Sequence, residues 1–126
     1  MDSSSFGVSG EEVVSEIYSK RGYKIIGRNV KIIGYKQLGE IDLITRKGRE
    51  LVFVEVKARS DERFMPIVET VTWRKKQRLL RAVKGFLNNH IEYKDFKVRL
   101  DVALITPALD GKTYSASIIE DAIQDN

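Results

Sequence analysis

Residues 39–57, GEIDLITRKGRELVFVEVK, constrain this chain more than any other stretch. Two runs rich in β-branched and apolar residues, GEIDLITR and LVFVEV, flank Lys47-Gly48-Arg49, so the segment reads as two strands joined by a tight turn. Asp42, Glu55 and Lys57 lie within these runs, where ionisable residues are rare. A two-residue loop at Gly48-Arg49, with glycine first as a type II′ turn favours, pairs Lys47 with Glu50. Counting back, Ile44 faces Phe53, Asp42 faces Glu55 and Glu40 faces Lys57. Alternation then collects Asp42, Glu55 and Lys57 on one side, with Ile41, Leu43, Thr45, Val52, Val54 and Val56 on the other. A slip of one residue would bury a carboxylate in the core, so the hydrophobic pattern selects the register that clusters the acids.

Carboxylates opposed across a sheet have Cβ atoms about 5 Å apart. Their repulsion is relieved by protonating one of them or by a cation. Oxygen-only ligands suit Mg²⁺ or Mn²⁺ rather than zinc. Lys57, two residues past Glu55, would then hold or deprotonate a metal-associated water. A buried ion-pair network of Asp42, Glu55, Lys57, Glu40 and nearby arginines satisfies the same spacing. On spacing alone the two readings stand level.

Five motifs recur in order: GEEVVSEIYSKRGY (10–23), RN (28–29), GEIDLI, FVEVKAR and VRLDVALI (98–105). On these the chain resembles the YraN family, small bacterial proteins regarded as nuclease-like. It is more distantly similar to the restriction-endonuclease-like nucleases with a D…(D/E)-x-K core, which include the archaeal Holliday junction resolvases. The resemblance implies an α/β restriction-endonuclease-like core, a mixed four- to five-stranded sheet flanked by helices. It also implies a metal-dependent endonuclease hydrolysing phosphodiester bonds of DNA, branched or recombination-type structures included. Asp42, Glu55 and the Val56 carbonyl would ligate Mg²⁺ or Mn²⁺. Lys57 would position the nucleophile, and Glu11, matching the first-helix acid of related nucleases, would complete the shell. Arg28, Arg59, Lys75, Lys76 and Arg78 would hold backbone phosphates, with Lys75 aligned to the family's lysine as the foremost contact. Glu69 and Asp101 keep family positions. The chain departs from the pattern in a longer segment between Asn29 and Gly39, and in Phe64-Met65-Pro66 where a Phe-Gly is usual. Junction resolvases act as dimers, so a homodimer is implied, although no segment declares an interface.

At 126 residues the chain suits a single nuclease-like domain with one real core. The absence of cysteine excludes disulfides and thiolate metal sites and suits a cytoplasmic protein. The Ser-rich start lacks the features of a signal peptide, and no apolar run is long enough for a membrane span. One histidine, His90, leaves no room for a His-based metal cluster and reads as a helix cap. Net charge is only +4, yet residues 20–59 hold eleven Lys and Arg against four acids, and residues 74–84 hold six basic residues and no acid. Such asymmetry points to a polyanionic partner, nucleic acid, on one surface.

Along the chain, Ser9 reads as an N-cap with Glu12 closing a capping box. The helix runs to about Arg21, buries Val13, Val14, Ile17 and Tyr18, and stops at Gly22. Residues 23–28 form the first strand, pairing with 39–46. The following segment extends a hairpin that carries Tyr35 between Lys31 and Lys36. A second helix spans about Thr72 to Asn89, with Leu79, Leu80, Val83, Phe86 and Leu87 as its core face. Residues 97–105 and 113–119 form two more strands, while residues 1–9 and 121–126 are expected to fray. Two other functions compete with the nuclease: a non-catalytic nucleic-acid-binding or adaptor module, and a domain that binds metal only for stability.

Overall fold

The computed structural model describes residues 3–58, 73–107, 109–110 and 113–124, without the side chains of 3–9 and 58. Helix α1 (Ser3–Lys20) is followed by strands β1 (Lys24–Ile33), β2 (Gln37–Lys47) and β3 (Glu50–Ala58). Helix α2 (Trp73–Asn89), a 3₁₀ turn (Ile91–Tyr93) and strands β4 (Lys97–Pro107) and β5 (Tyr114–Ile119) complete the order. The sheet runs β1-β2-β3-β4-β5, antiparallel throughout except for the parallel β3–β4 pair. The expected α/β class with a mixed sheet and flanking helices is what forms, and it is the layout of a restriction-endonuclease-like core.

The two helices cover opposite faces. Leu51 and Phe53 pack with Leu79, Ala82, Val83 and Phe86 of α2, whereas Val52 and Val54 pack with Val14 and Tyr18 of α1. Period-two alternation in β3 therefore feeds two cores from one strand, which explains why LVFVEV is apolar almost without interruption. The β2–β3 turn forms as the sequence requires. Lys47 pairs with Glu50, and Gly48 sits at φ 60 while Arg49 stays outside the left-handed region, as a type II′ turn demands. Helix α1 ends where expected: Gly22, at φ 92, donates to Ser19 O, and Tyr23 N–H donates to Tyr18 O. That is a Schellman closure, with the Tyr18 and Tyr23 rings packed edge to face across it.

Four expectations change. Helix α1 begins at Ser3, so Ser9 is a mid-helix residue, not a cap, and Glu12 is an exposed side chain. Within the helix, Gly10 is buried so close to Ile105 that a Cβ there would lie 2.6 Å from its Cδ1. The tail does not fray over its described residues: Ile123 is buried in the α2-side core, its N–H reaches Leu100 O, and Asp121 N–H donates to Asp101 Oδ1. Strand β1 runs on to Ile33, so the extra segment after Asn29 is hairpin, as expected, with Gly34-Tyr35-Lys36 at its tip.

The fourth change bears on the site. Ile41 and Ile44 both join the α2-side core, while Leu43 faces α1, so strict alternation fails between 41 and 43. The kink falls at Asp42. Across from it lies Asn29, bracketed by the Arg28–Leu43 and Val30–Ile41 pairs and held at φ 49. A left-handed residue in a strand is a strong local deformation, and it lets Asp42 leave the regular pleat.

Candidate metal centre at the β2–β3 fork

The β2–β3 pairing ends at Leu43–Val54, one step short of the expected Asp42–Glu55 pair. Beyond it, the Asp42 side chain replaces the ladder: its Oδ2 accepts the Val56 N–H at 2.8 Å. The N–H and C=O of one strand residue point to the same edge, so the Val56 carbonyl also faces the fork. Two strands that part around a carboxylate leave a polar notch at the end of an otherwise apolar sheet.

Glu55 is buried on the α2 side, where Lys75 Nζ lies 3.4 Å from its Oε1. Burial pushes the Glu55 carboxyl above the ordinary carboxylate range, Asp42 pushes it further, and Lys75 and Lys57 pull it back. The Asp42 carboxyl is likewise raised, first by burial and then by Glu11 and Glu40, against the Val56 hydrogen bond and Lys75, which lower it. Asp42, Glu55, Lys57, Lys75 and Glu11 therefore share one electrostatic neighbourhood, though they come from four different elements. Glu11, half-buried on α1, accepts a 3.3 Å hydrogen bond from Asn29 Nδ2 at the kink. Asp42 and Glu55 lie near one another at a fork, not in the direct cross-strand pair that the hydrophobic pattern implied.

The donors suit a hard divalent cation: two neighbouring buried carboxyl groups, plus a carbonyl on the same edge, all oxygen. Among the described residues no three His, Cys, Asp or Glu side chains form a ready-made metal cluster. A cation would thus draw on Asp42 and Glu55 and take the remainder of its shell from backbone and solvent.

Other expected contacts fall elsewhere. Lys75 is an ion-pair partner of Glu55, not a free phosphate ligand, because the helix start that exposes it also turns it over the buried acid. Arg28 pairs with Leu43 on the α1 side, and lines a small cavity with Glu12 and Glu16, away from the α2 cations. Its expected place on a shared phosphate surface is not supported by that setting. Lys76 is half-buried and Arg78 exposed on α2. Arg59, the SDERF loop, Phe64-Met65-Pro66 and Glu69 lie outside the described residues. Asp101, fully buried, belongs to a different network: it accepts from Tyr18 OH at 2.7 Å and from Arg99 Nε at 2.8 Å. Arg99 also reaches Glu50, whose carboxylate bonds Tyr23 OH. His90 caps α2, its ring stacked on Phe86 and its Nδ1 2.9 Å from Phe86 O.

The sequence reading missed Arg81, which lines a cleft with Arg78, Lys36 and Gln37. Its spacing of three from Arg78 and six from Lys75 on an amphipathic helix was a usable signal.

Comparison with known proteins gives the same placement as the motifs. The model of UPF0102, an uncharacterised protein family, matches residues 10–105. The chain belongs to the UPF0102 family. A UPF0102 protein of Symbiobacterium thermophilum is 39% identical over 106 residues, covering 84% of this chain and 86% of the relative. One from Carboxydothermus hydrogenoformans is also 39% identical, over 74% of this chain and 75% of its own length. One from Caldicellulosiruptor saccharolyticus is 32% identical over 97% of this chain and 99% of its own. The expected family is thereby shown, and the UPF0102 match covers every residue of the fork: Glu11, Asp42, Glu55, Val56 and Lys57. No helix among the described residues is long and apolar enough to cross a membrane.

Proposed function

We propose that this UPF0102 protein is a metal-dependent endonuclease whose centre is the β2–β3 fork, acting on DNA. The observation that carries the reading is the pair Asp42 and Glu55, both carboxyls raised by burial and Glu55 further by Asp42, at the point where the ladder opens. A fold that needed only a stable sheet has no use for two acids there. A phosphate-binding surface has less, since unneutralised carboxylates repel its ligand. A bound Mg²⁺ or Mn²⁺ would supply positive charge to the scissile phosphate and acidify water.

The chain's own residues do the rest. Asp42 and Glu55 would hold the cation, with Asp42 locked by the Val56 N–H. Lys57, close enough to Glu55 to lower its pKa, orients the attacking water. The water oxygen bonds to phosphorus, one P–O ester bond breaks, and the leaving oxygen ends protonated. Lys75, the ion-pair partner of Glu55, would meet a phosphate oxygen.

A second reading has its own support. Lys75 already offsets the charge of Glu55, and the described residues hold no three-acid cluster, as in a domain that binds nucleic acid without cutting it. Linear, flapped and four-way DNA substrates separate the two. With Mg²⁺ or Mn²⁺ the wild type should cut at least one, and Asp42→Asn and Lys57→Ala should each lose about a hundredfold or more in rate. Variants that cut as the wild type does would remove the fork from the chemistry. Binding without cleavage by the wild type would favour the binder.

A further inference from the structure

The β1–β2 hairpin lies along α2, and two contacts hold it there. Glycines make the approach close: a Cβ on Gly85 would meet Leu38 Cδ1 at 2.8 Å and Ile32 Cγ2 at 2.9 Å, and one on Gly39 would meet Ala82 Cβ at 3.1 Å. At the far end Asn89 Nδ2 donates to Ile33 O at 3.2 Å. Between hairpin and helix runs an open cleft of about 330 Å³, whose charged lining is Lys36, Arg78 and Arg81, with no acid among its walls. It continues into a second cavity of about 210 Å³, sharing Gln37, Gly39 and Arg78 and adding Glu40 and Lys75. Lys75 touches Glu55, so the cleft leads to the fork.

Among the described residues no ion pair is made by Arg78 or Arg81, and both are exposed. Lys75, Arg78 and Arg81 follow each other at three-residue steps, a continuous ridge on one side of α2. At the hairpin tip Tyr35 is 96% exposed, with Lys36 Nζ 5.9 Å from its ring centroid. A ring so exposed, beside a cation and at the mouth of a basic cleft, has the makings of a stacking platform for an unpaired base.

We propose that this cleft is a track for one unpaired strand of nucleic acid, with Arg78, Arg81 and Lys36 on successive phosphates and a base stacked on Tyr35. The track delivers that strand to the fork, and in this respect the proposal rests on the nuclease reading. It names the substrate class: nucleic acid with a single-stranded stretch beside the cleavage point. A blunt duplex presents paired bases that leave Tyr35 nothing to stack on.

Binding tests the track without any cleavage. The full chain, in buffer with EDTA, is titrated against a labelled oligothymidylate, a duplex with a single-stranded overhang and a blunt duplex, at several salt concentrations. The wild type should favour the first two. Arg78→Ala/Arg81→Ala should weaken both about tenfold or more and flatten the log–log salt slope by about 0.7 for each lost contact. Tyr35→Ala should cost about tenfold on unpaired probes and leave the blunt duplex unchanged, with Tyr35→Phe restoring binding. Lys97→Ala, at the other end of the sheet, should bind as the wild type does. Equal affinity of the wild type for all three probes, no binding to any, or unchanged binding by the Tyr35 and double-arginine variants would each overturn the track. Preferential binding in EDTA with no cutting in Mn²⁺ would leave the track standing and defeat the nuclease reading.

Discussion

Asp42 and Glu55 decide most of what can be said at the scale of single residues. A raised carboxyl keeps its proton in the folded chain at pH values where the unfolded chain has released it. Each acid therefore costs stability above its ordinary pKa; the cost shrinks as pH falls below the raised folded value and is gone below the ordinary one. In metal-free buffer Asp42→Asn, which keeps an acceptor for Val56 N–H, should melt a few degrees above the wild type at neutral pH. The gap should close on acidification through the carboxylate range. Mn²⁺ at a hundred times its dissociation constant should stabilise the wild type by about 2.7 kcal/mol and leave Asp42→Asn unmoved, reversing the order. Calorimetric melting with and without the ion reads both effects. A wild type more stable than Asp42→Asn without metal at every pH would mean the carboxylate is already satisfied by its neighbours.

At the scale of elements, β4 shows how a strand can carry a buried charge without chemistry. Asp101 has lost all contact with solvent, but Tyr18 from α1, Arg99 from its own strand and the Asp121 N–H from the tail satisfy it. Burial and the Asp101 hydrogen bond push the Tyr18 hydroxyl far above its ordinary pKa, so it stays a donor. The arrangement binds α1, β4 and the tail through one carboxylate. Arg99→Met should cost about 3–5 kcal/mol, because it strands a buried anion, whereas Tyr18→Phe should cost about 1–3 kcal/mol for one lost donor. Urea denaturation measures both. Asp101 has the residue type and the neighbourhood of a site, and only its partners assign it to structure.

Over the whole molecule, α1 and α2 cover opposite faces of one sheet, and the tail returns to close the α2 side. Deleting residues 121–126 exposes the Ile123 pocket and removes one donor from Asp101. The loss should be about 3 kcal/mol, from about 2 for the side chain and about 1 for the hydrogen bond, read as a lower urea midpoint. Charge is sorted on the same scale. The α2 cations line the cleft beside the hairpin, while Arg28 lies among acids on the α1 side. An excess of +7 over residues 20–59 thus does not amount to one basic surface.

Local chemistry alone determined a good deal. The apolar runs on either side of Gly48 dictated two paired strands and their register, and the unbroken apolar run 51–54 fits the burial of both its faces. Amphipathic spacing placed α2 to within a residue, because its apolar stripe repeats at the helical period and nothing else competes. Tertiary structure decided what no local rule carries. Gly10 of α1 closed against Ile105 of β4, a left-handed Asn29 broke alternation at Asp42, and Lys75 was claimed by Glu55 instead of by solvent. Patterns along a chain report which side of an element meets the core. Where two strands part, and which cation reaches an acid lying between them, depends on atoms far apart in sequence.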